Sequence, residues 1–303
     1  MNEAIAWING SLCPFSQAAV PVWDMGVVAG ASVTEMARTF AHHPFRLERH
    51  VERLMTSLTA LGFPQPWPAD SLHNAAMQIV DHNSKLIAAG EDLGIVLFST
   101  AGSNPTYLSG CSTHTTTVVH TFVLPFAGWR SNFINGVRLQ IPSVRQIPED
   151  CFSVTHKVRN RLHWWLADQE ASRRESGSRA LLLDQDDYVT ETSTSCFYIV
   201  RDDRIVTSSR GVLNSLSSQI VEEIAGSLQI PFERRPIPVA ELTQASEAFL
   251  SSTPVCLLPV SHINGRQAGF AIPGPVFRRL IQAWSRLVGI DVAAQIVGSV
   301  SVP

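Results

Sequence analysis

Short apolar runs and helix-period stretches follow one another along this chain without a regular strand–helix–strand cadence. That irregularity most constrains the fold. Residues 4–8 alternate weakly and stop at Asn9-Gly10, a tight-hairpin dipeptide. Residues 18–23 read as a second short strand. Leu47, Val51, Leu54, Leu58 and Leu61 recur at helical spacing until Gly62 stops them. A second helix, capped by Asp70 or Ser71, runs to about Ala89. Strands are expected over 93–99 and 116–123. Leu124-Pro125-Phe126-Ala127-Gly128 reads as a connection. Beyond it lie a strand at 137–141 and a helix over 160–172 with Leu162, Trp165, Leu166 and Gln169 on one side. Short strands follow at 180–184, 196–200 and 204–207, then a helix over 217–226 capped by Asn214-Ser215. Strands at 249–252 and 257–260, a hairpin signal at Asn264-Gly265 and a terminal amphipathic helix over 273–288 complete the reading. The fold class is α+β. Residues 1–123 form an N-terminal α+β domain, 124–132 an interdomain linker, and 133–303 a C-terminal α+β domain carrying Lys157.

Composition narrows the function. With 45% apolar and 16% charged residues, the 303-residue chain can build a substantial core. A net charge of −3 with no basic block argues against nucleic acid or an anionic membrane as the main partner. MNEAIAWING lacks the pattern of a signal peptide, and no apolar run reaches transmembrane length. The five cysteines, Cys13, Cys111, Cys151, Cys196 and Cys256, are scattered without a CxxC. Reduced thiols, a cytoplasmic location and no metal site are expected.

Of 23 basic side chains only Lys85 and Lys157 are lysines. Arginine does not give up its proton, whereas a lysine amine can become a nucleophile. Arg159 and Arg161 near Lys157, with Val154 and Leu162 flanking, favour the neutral amine. Lys157 is therefore a candidate for covalent attachment to a carbonyl; a surface lysine at a helix start is the plainer alternative.

Four further segments fit such a lysine. Arg49 and Arg53 in RLERHVER lie a helical turn apart, able to reach an anion or to pair with Glu48 and Glu52. Glu191 sits in YVTETSTSCFYIV among hydroxyls before an apolar strand, suited to a cationic ring nitrogen or to an ordinary turn. In GVLNSLSSQ, a helix start offers N–H groups and the hydroxyls of Ser215, Ser217 and Ser218, as an anion cradle or as simple capping. In FLSSTPV, Ser252 and Thr253 could donate to a phosphate or merely end a strand. No GxSxG, HExxH or P-loop competes.

Taken in order, WINGSL, VPVWDMGVVAG, PFRLERHVERL, HKVRNRL, YVTETSTSCFYIV, GVLNSLSSQ and EAFLSSTPVCLLPVSHINGR resemble the class IV aminotransferases, pyridoxal-phosphate enzymes of fold type IV. That family includes branched-chain and D-amino-acid aminotransferases and 4-amino-4-deoxychorismate lyases. The resemblance implies a two-domain fold type IV architecture, pyridoxal 5'-phosphate as cofactor and a homodimer. It implies that Lys157 carries the cofactor and that Glu191 pairs with its pyridine nitrogen. It also implies that Arg53, rather than Arg49, binds the phosphate together with Leu216 N–H, Ser217 and Thr253. Cys196, Ser215 and Ser218 depart from the asparagine, glycine and arginine common in the family. Val27, Ala29 and Thr34 replace aromatic pocket residues. KVRNRL looks more like the lyase branch, EMARTF, with Arg38, suits the branched-chain enzymes and the lyases, and FLSSTP is close to the D-amino-acid branch. The expected reaction is transamination of a small or branched-chain amino acid with a keto acid acceptor. The alternatives are the lyase reaction, releasing pyruvate, or a non-catalytic cofactor-binding or interaction protein.

Overall fold

Asn9 and Gly10, at φ 46° and 92°, turn β1 (Ile5–Ile8) back onto β2 (Ser11–Pro14) with Ile8 opposite Ser11. Positive φ at both turn residues is what a two-residue hairpin loop demands. This computed structural model describes residues 3–108, 114–269 and 271–298; Cys111 lies outside them. The chain divides into two units, one comprising Met1–Leu124 with His156–Asn160, the other Pro125–Thr155 with Arg161–Pro303.

The first unit adds α1 (Met25–Val28), β3 (Ser32–Phe40), β4 (His43–Pro44), α2 (Leu47–Ala60), α3 (Ala69–Asn83), β5 (Leu93–Thr100) and β6 (Thr117–Val123). Its six strands run in the order β2-β1-β6-β5-β3-β4. Val33 and Ala37 on β3 pack with Leu47, Val51, Leu54 and Leu58 of α2 and with Leu72, Ala76 and Ile79 of α3. The apolar spacing read from the sequence thus puts α2 on one sheet face. Residues 18–23 form no strand but turn into α1, whose first turn is capped by Asp24 accepting from Gly26 N–H at 2.7 Å. Pro21 in that stretch has no N–H to give a ladder.

The second unit opens with α4 (Phe126–Asn135), so the expected linker is largely helix. It continues with β7 (Val137–Gln140), α5 (Leu162–Arg174), β8 (Arg179–Leu183), β9 (Tyr188–Thr192), β10 (Cys196–Arg201), β11 (Arg204–Thr207), α6 (Leu216–Ser227), β12 (Phe232–Arg234), β13 (Ile237–Pro238), β14 (Glu247–Ser252), β15 (Cys256–Ile263), β16 (Arg266–Gln267), α7 (Pro275–Val288) and α8 (Val292–Val297). The strands order as β12-β11-β10-β14-β15-β7-β8-β9-β13, with β16 on β15. On α5 the buried side is Trp164, Ala167 and Ala171, while Leu162, Trp165 and Leu166 are exposed. The sequence reading grouped the stripe of Leu162, Trp165 and Leu166; Trp164 and the two alanines are the ones that pack beside Ala180 and Leu182 of β8.

Glu247, buried on β14, fastens α7 by accepting from Val276 N–H at 2.7 Å and Phe277 N–H at 3.0 Å. Pro275, at the first helical position, has no N–H that would need a partner. Glu247→Ala should strand both donors in the interior, where each lost bond to a charged group is worth about 1.5–3 kcal/mol. A drop in the thermal unfolding midpoint of several degrees is the expected result.

Candidate functional site

In the first unit, Lys157 is held by its backbone. Its carbonyl accepts from Thr34 N–H at 2.8 Å, Arg159 N–H donates to the Ser32 carbonyl at 3.0 Å, and Val158 bridges Val33. The segment therefore lies extended against β3 ahead of α5, and the Lys157 side chain is half-buried. This pairing is why His156–Asn160 groups with the first unit, where the sequence reading had given Lys157 to the C-terminal domain. Nearby, the Arg159 guanidinium lies 4.2 Å over the Phe98 ring.

β3 also delivers Glu35, and α2 delivers His50 and Arg53 to meet it. Arg53 Nε donates to Glu35 Oε1 at 2.6 Å and Nη2 to Oε2 at 2.8 Å, while His50 Nδ1 lies 2.8 Å from Oε2. Glu35 is 1% exposed. Burial alone would raise its pKa; the hydrogen bond from His50 and the Arg53 charge outweigh that and hold it at about 2. The stability it contributes is present above its unbound value of 4.5 and lost as pH falls through about 2. His50 is pushed below the ordinary imidazole range, first by burial and then by the charges of Arg53 and Lys157, against the pull of Glu35. A neutral imidazole facing an ionised carboxylate must place its proton on Nδ1, because the carboxylate only accepts. Arg49, which the sequence paired with Arg53, is exposed.

In the second unit Glu191 lies within β9, ahead of the apolar strand β10, and accepts from Leu213 N–H at 3.2 Å. Burial lowers the pKa of Arg161, and the charges of Glu191 and Asp168 offset part of that. Leu213 leads directly into α6, so Glu191 and the start of α6 are brought together. Ser215 caps α6, accepting from Ser218 N–H at 3.4 Å. Its hydroxyl lies 2.8 Å from that of Ser217, which lies 3.1 Å from Ser251 Oγ. Ser251 Oγ in turn is 2.9 Å from Tyr198 OH, and Arg234 Nη1 donates to Ser218 Oγ at 3.2 Å. Leu216, Ser217 and Ser218 are buried at this helix start. Thr253 lies half-buried in the turn between β14 and β15.

Sequence reasoning missed Glu35, His50, Tyr198, Ser251 and Arg234. Ser251 sits in the FLSSTPV segment already singled out, but Ser252 and Thr253 drew the attention. Glu35 had one legible signal: it is the sole acid between Asp24 and Glu48.

The first unit thus offers an amine and a guanidinium, and the second a carboxylate and a helix start with hydroxyls. Residues 32–263 match the family model described as amino-transferase class IV. The chain belongs to the class IV aminotransferases. Among relatives of this family member is branched-chain-amino-acid aminotransferase-like protein 2 of Arabidopsis thaliana, 29% identical over 94% of this chain and 50% of the plant protein. The chain thus spans about half the length of that relative. D-alanine aminotransferase of Bacillus licheniformis is 26% identical over 90% of this chain and 93% of its own. The branched-chain aminotransferase of Thermoproteus uzoniensis, solved with norvaline, superposes with a TM-score of 0.83 at 25% identity, covering 94% and 95% of the two chains. Its likeness carries the two-sheet, mixed α+β architecture described above to the fold type IV aminotransferases.

Proposed function

We propose that this class IV family member is a pyridoxal 5'-phosphate-dependent aminotransferase acting on a small or branched-chain amino acid with a keto acid acceptor. The observation that carries the reading is the docking of Lys157 onto β3, the strand whose Glu35 also holds Arg53. The side chains fit the cofactor. Lys157 supplies the amine for covalent attachment, and Arg53 supplies N–H donors for the phosphate. Leu216 N–H, the Ser217 hydroxyl and Thr253 add donors of the same kind, and Glu191 offers a carboxylate for the pyridine N–H. When bound, pyridoxal phosphate supplies an aldehyde that captures the substrate amine and a ring that takes up the electrons left by the departing α-proton. The Lys157 amine would be the base that receives that proton. Glu191 would hold a proton on the ring nitrogen.

Branched-chain and D-alanine aminotransferases among the relatives support a small or branched donor of either configuration. The family resemblance also supports a homodimer, and the exposed Trp165 and Leu166 on α5 offer apolar surface that a second copy could cover. A cytoplasmic location fits the free thiols of Cys13 and Cys151. Among the described residues no helix is long and apolar enough to cross a membrane.

A panel of amino donors offered with 2-oxoglutarate or pyruvate tests the reaction. Consumption of the acceptor is the expected result. Pyruvate released from aminodeoxychorismate without any acceptor would replace this reading with the lyase. Cofactor binding without either activity would replace it with a binding protein. Arg53→Ala should weaken cofactor retention by about one to two decades, the loss expected when charge-assisted bonds worth roughly 1.5–3 kcal/mol disappear. Arg49→Ala, at an exposed position, should change it little. Equal effects in equilibrium dialysis would remove Arg53 from the phosphate.

A further inference from the structure

We infer that Glu35 is a positioning residue for Arg53: it fixes the guanidinium in one orientation and thereby sets how strongly the protein grips the phosphate of its cofactor. This deepens the proposed function and rests on its assignment of Arg53 to the phosphate.

The geometry is that of a fork clamped along one edge. An arginine carries five N–H donors in a rigid plane. Glu35 engages two of them, on Nε and Nη2, at 2.6 and 2.8 Å. Two bonds on one edge fix the rotation of the plane as well as its position. The clamp is itself held: Glu35 stands on the central part of β3 at 1% exposure, and His50 Nδ1–H grips Oε2 at 2.8 Å. A side chain ordered before its ligand arrives forfeits less rotamer entropy on binding, and arginine has a great deal to forfeit.

Charge and orientation make opposite predictions here. With Glu35 ionised, Arg53 protonated and His50 neutral, the three side chains sum to zero. If net charge ruled the grip on phosphate, removing the carboxylate would strengthen it. If orientation rules, removing the carboxylate weakens it. Glu35 is buried and doubly bonded to the fork, and its loss would remove both bonds that fix the plane. Orientation is therefore the stronger effect.

The test compares two probes on the full-length apoprotein, pyridoxal 5'-phosphate and pyridoxal, by quenching of tryptophan fluorescence. The dissociation constant for pyridoxal divided by that for pyridoxal 5'-phosphate isolates the phosphate grip. A role confined to stability would shift the melting temperature and both affinities together and leave the ratio alone. In Glu35→Gln the ratio should fall about tenfold, with pyridoxal affinity near wild type. Glu35→Asp keeps the charge but shortens the clamp, so it should lower the ratio too, and it serves if the glutamine variant fails to fold. A wild-type or increased ratio in the variants that fold, alongside a collapsed ratio in Arg53→Ala, would overturn the inference while sparing the role of Arg53. An unchanged ratio in Arg53→Ala would overturn the assignment of Arg53 to the phosphate, and the inference with it.

Discussion

Lys157→Ala should abolish amino-group transfer and leave the fold intact. The segment is fastened by main-chain bonds: the Lys157 carbonyl to Thr34 N–H, and Arg159 N–H to the Ser32 carbonyl. Alanine keeps every one of them, so the melting temperature of the apoprotein should move by no more than about 0.5 kcal/mol's worth of stability. Activity has no such insurance. The amine is both the attachment point and the base in the proposed reaction, and positioned proton transfer alone contributes about 10²–10⁴-fold. A loss of about 10³-fold or more is expected. Borohydride treatment of the wild-type holoenzyme should fix the cofactor irreversibly, and peptide mapping should find it on Lys157. The informative control is Lys85, which is exposed and ion-paired with Asp81 at 2.8 Å. A label on Lys85, or none at all, would end the reading that organises the site.

Glu191→Gln should spare binding and slow the proton step. Glutamine keeps the length and an acceptor oxygen for Leu213 N–H, so the approach of β9 to the start of α6 survives. What it loses is charge. In the proposed role a carboxylate would keep a proton on the ring nitrogen; an amide would not, and the electrons released with the α-proton would then have a poorer acceptor. Each 1.4 kcal/mol of transition-state stabilisation lost costs about tenfold, and removal of one preorganised electrostatic partner commonly costs about 10²–10³-fold. Exchange of the substrate α-deuterium with solvent, followed at saturating cofactor, reads this step directly. Wild-type exchange would assign Glu191 a structural role in the β9 turn region and nothing more.

The parts of the fold that were legible in the sequence share a physical property: their pattern came from one buried face. Helix α2 repeats leucines at helical spacing because only one side meets the sheet. Strand β11 came out at its observed limits, Arg204–Thr207. Strand β3 was missed because nearly every one of its nine positions is buried, so no alternation betrays it. Its charged residues, Glu35 and Arg38, also made it look unlike a central strand. Helix α5 carries two apolar stripes, and a sequence does not say which one its own core takes. The helix α4 was hidden behind Pro125, whose ring reads as an interruption but serves here as the residue before the first turn. Among the candidate site residues, Lys157 stood out by rarity, and the start of α6 by its serines. Glu35 and His50 stayed hidden because their meaning lies in a contact between residues 15 apart, on a strand and a helix.

Strand β3 bears its two buried charges on opposite faces. Glu35 points to α2, where Arg53 and His50 take it; Arg38 points the other way, to Asp92 at 3.4 Å and to the Phe40 ring at 3.9 Å. Side chains of a strand change face at every residue, so sliding β3 by one position would turn both charges toward the wrong layer. An apolar strand in the same place would forgive such a slip, trading one valine for another. Here each face has its own key. A register error exposes an unpaired carboxylate to one core and an unpaired guanidinium to the other, and breaking a buried pair costs about 3–5 kcal/mol. What the two pairs add to net stability is small beside what they forbid. The alignment of β3 with its neighbours, on which Lys157 is hung, is enforced by the expense of every alternative.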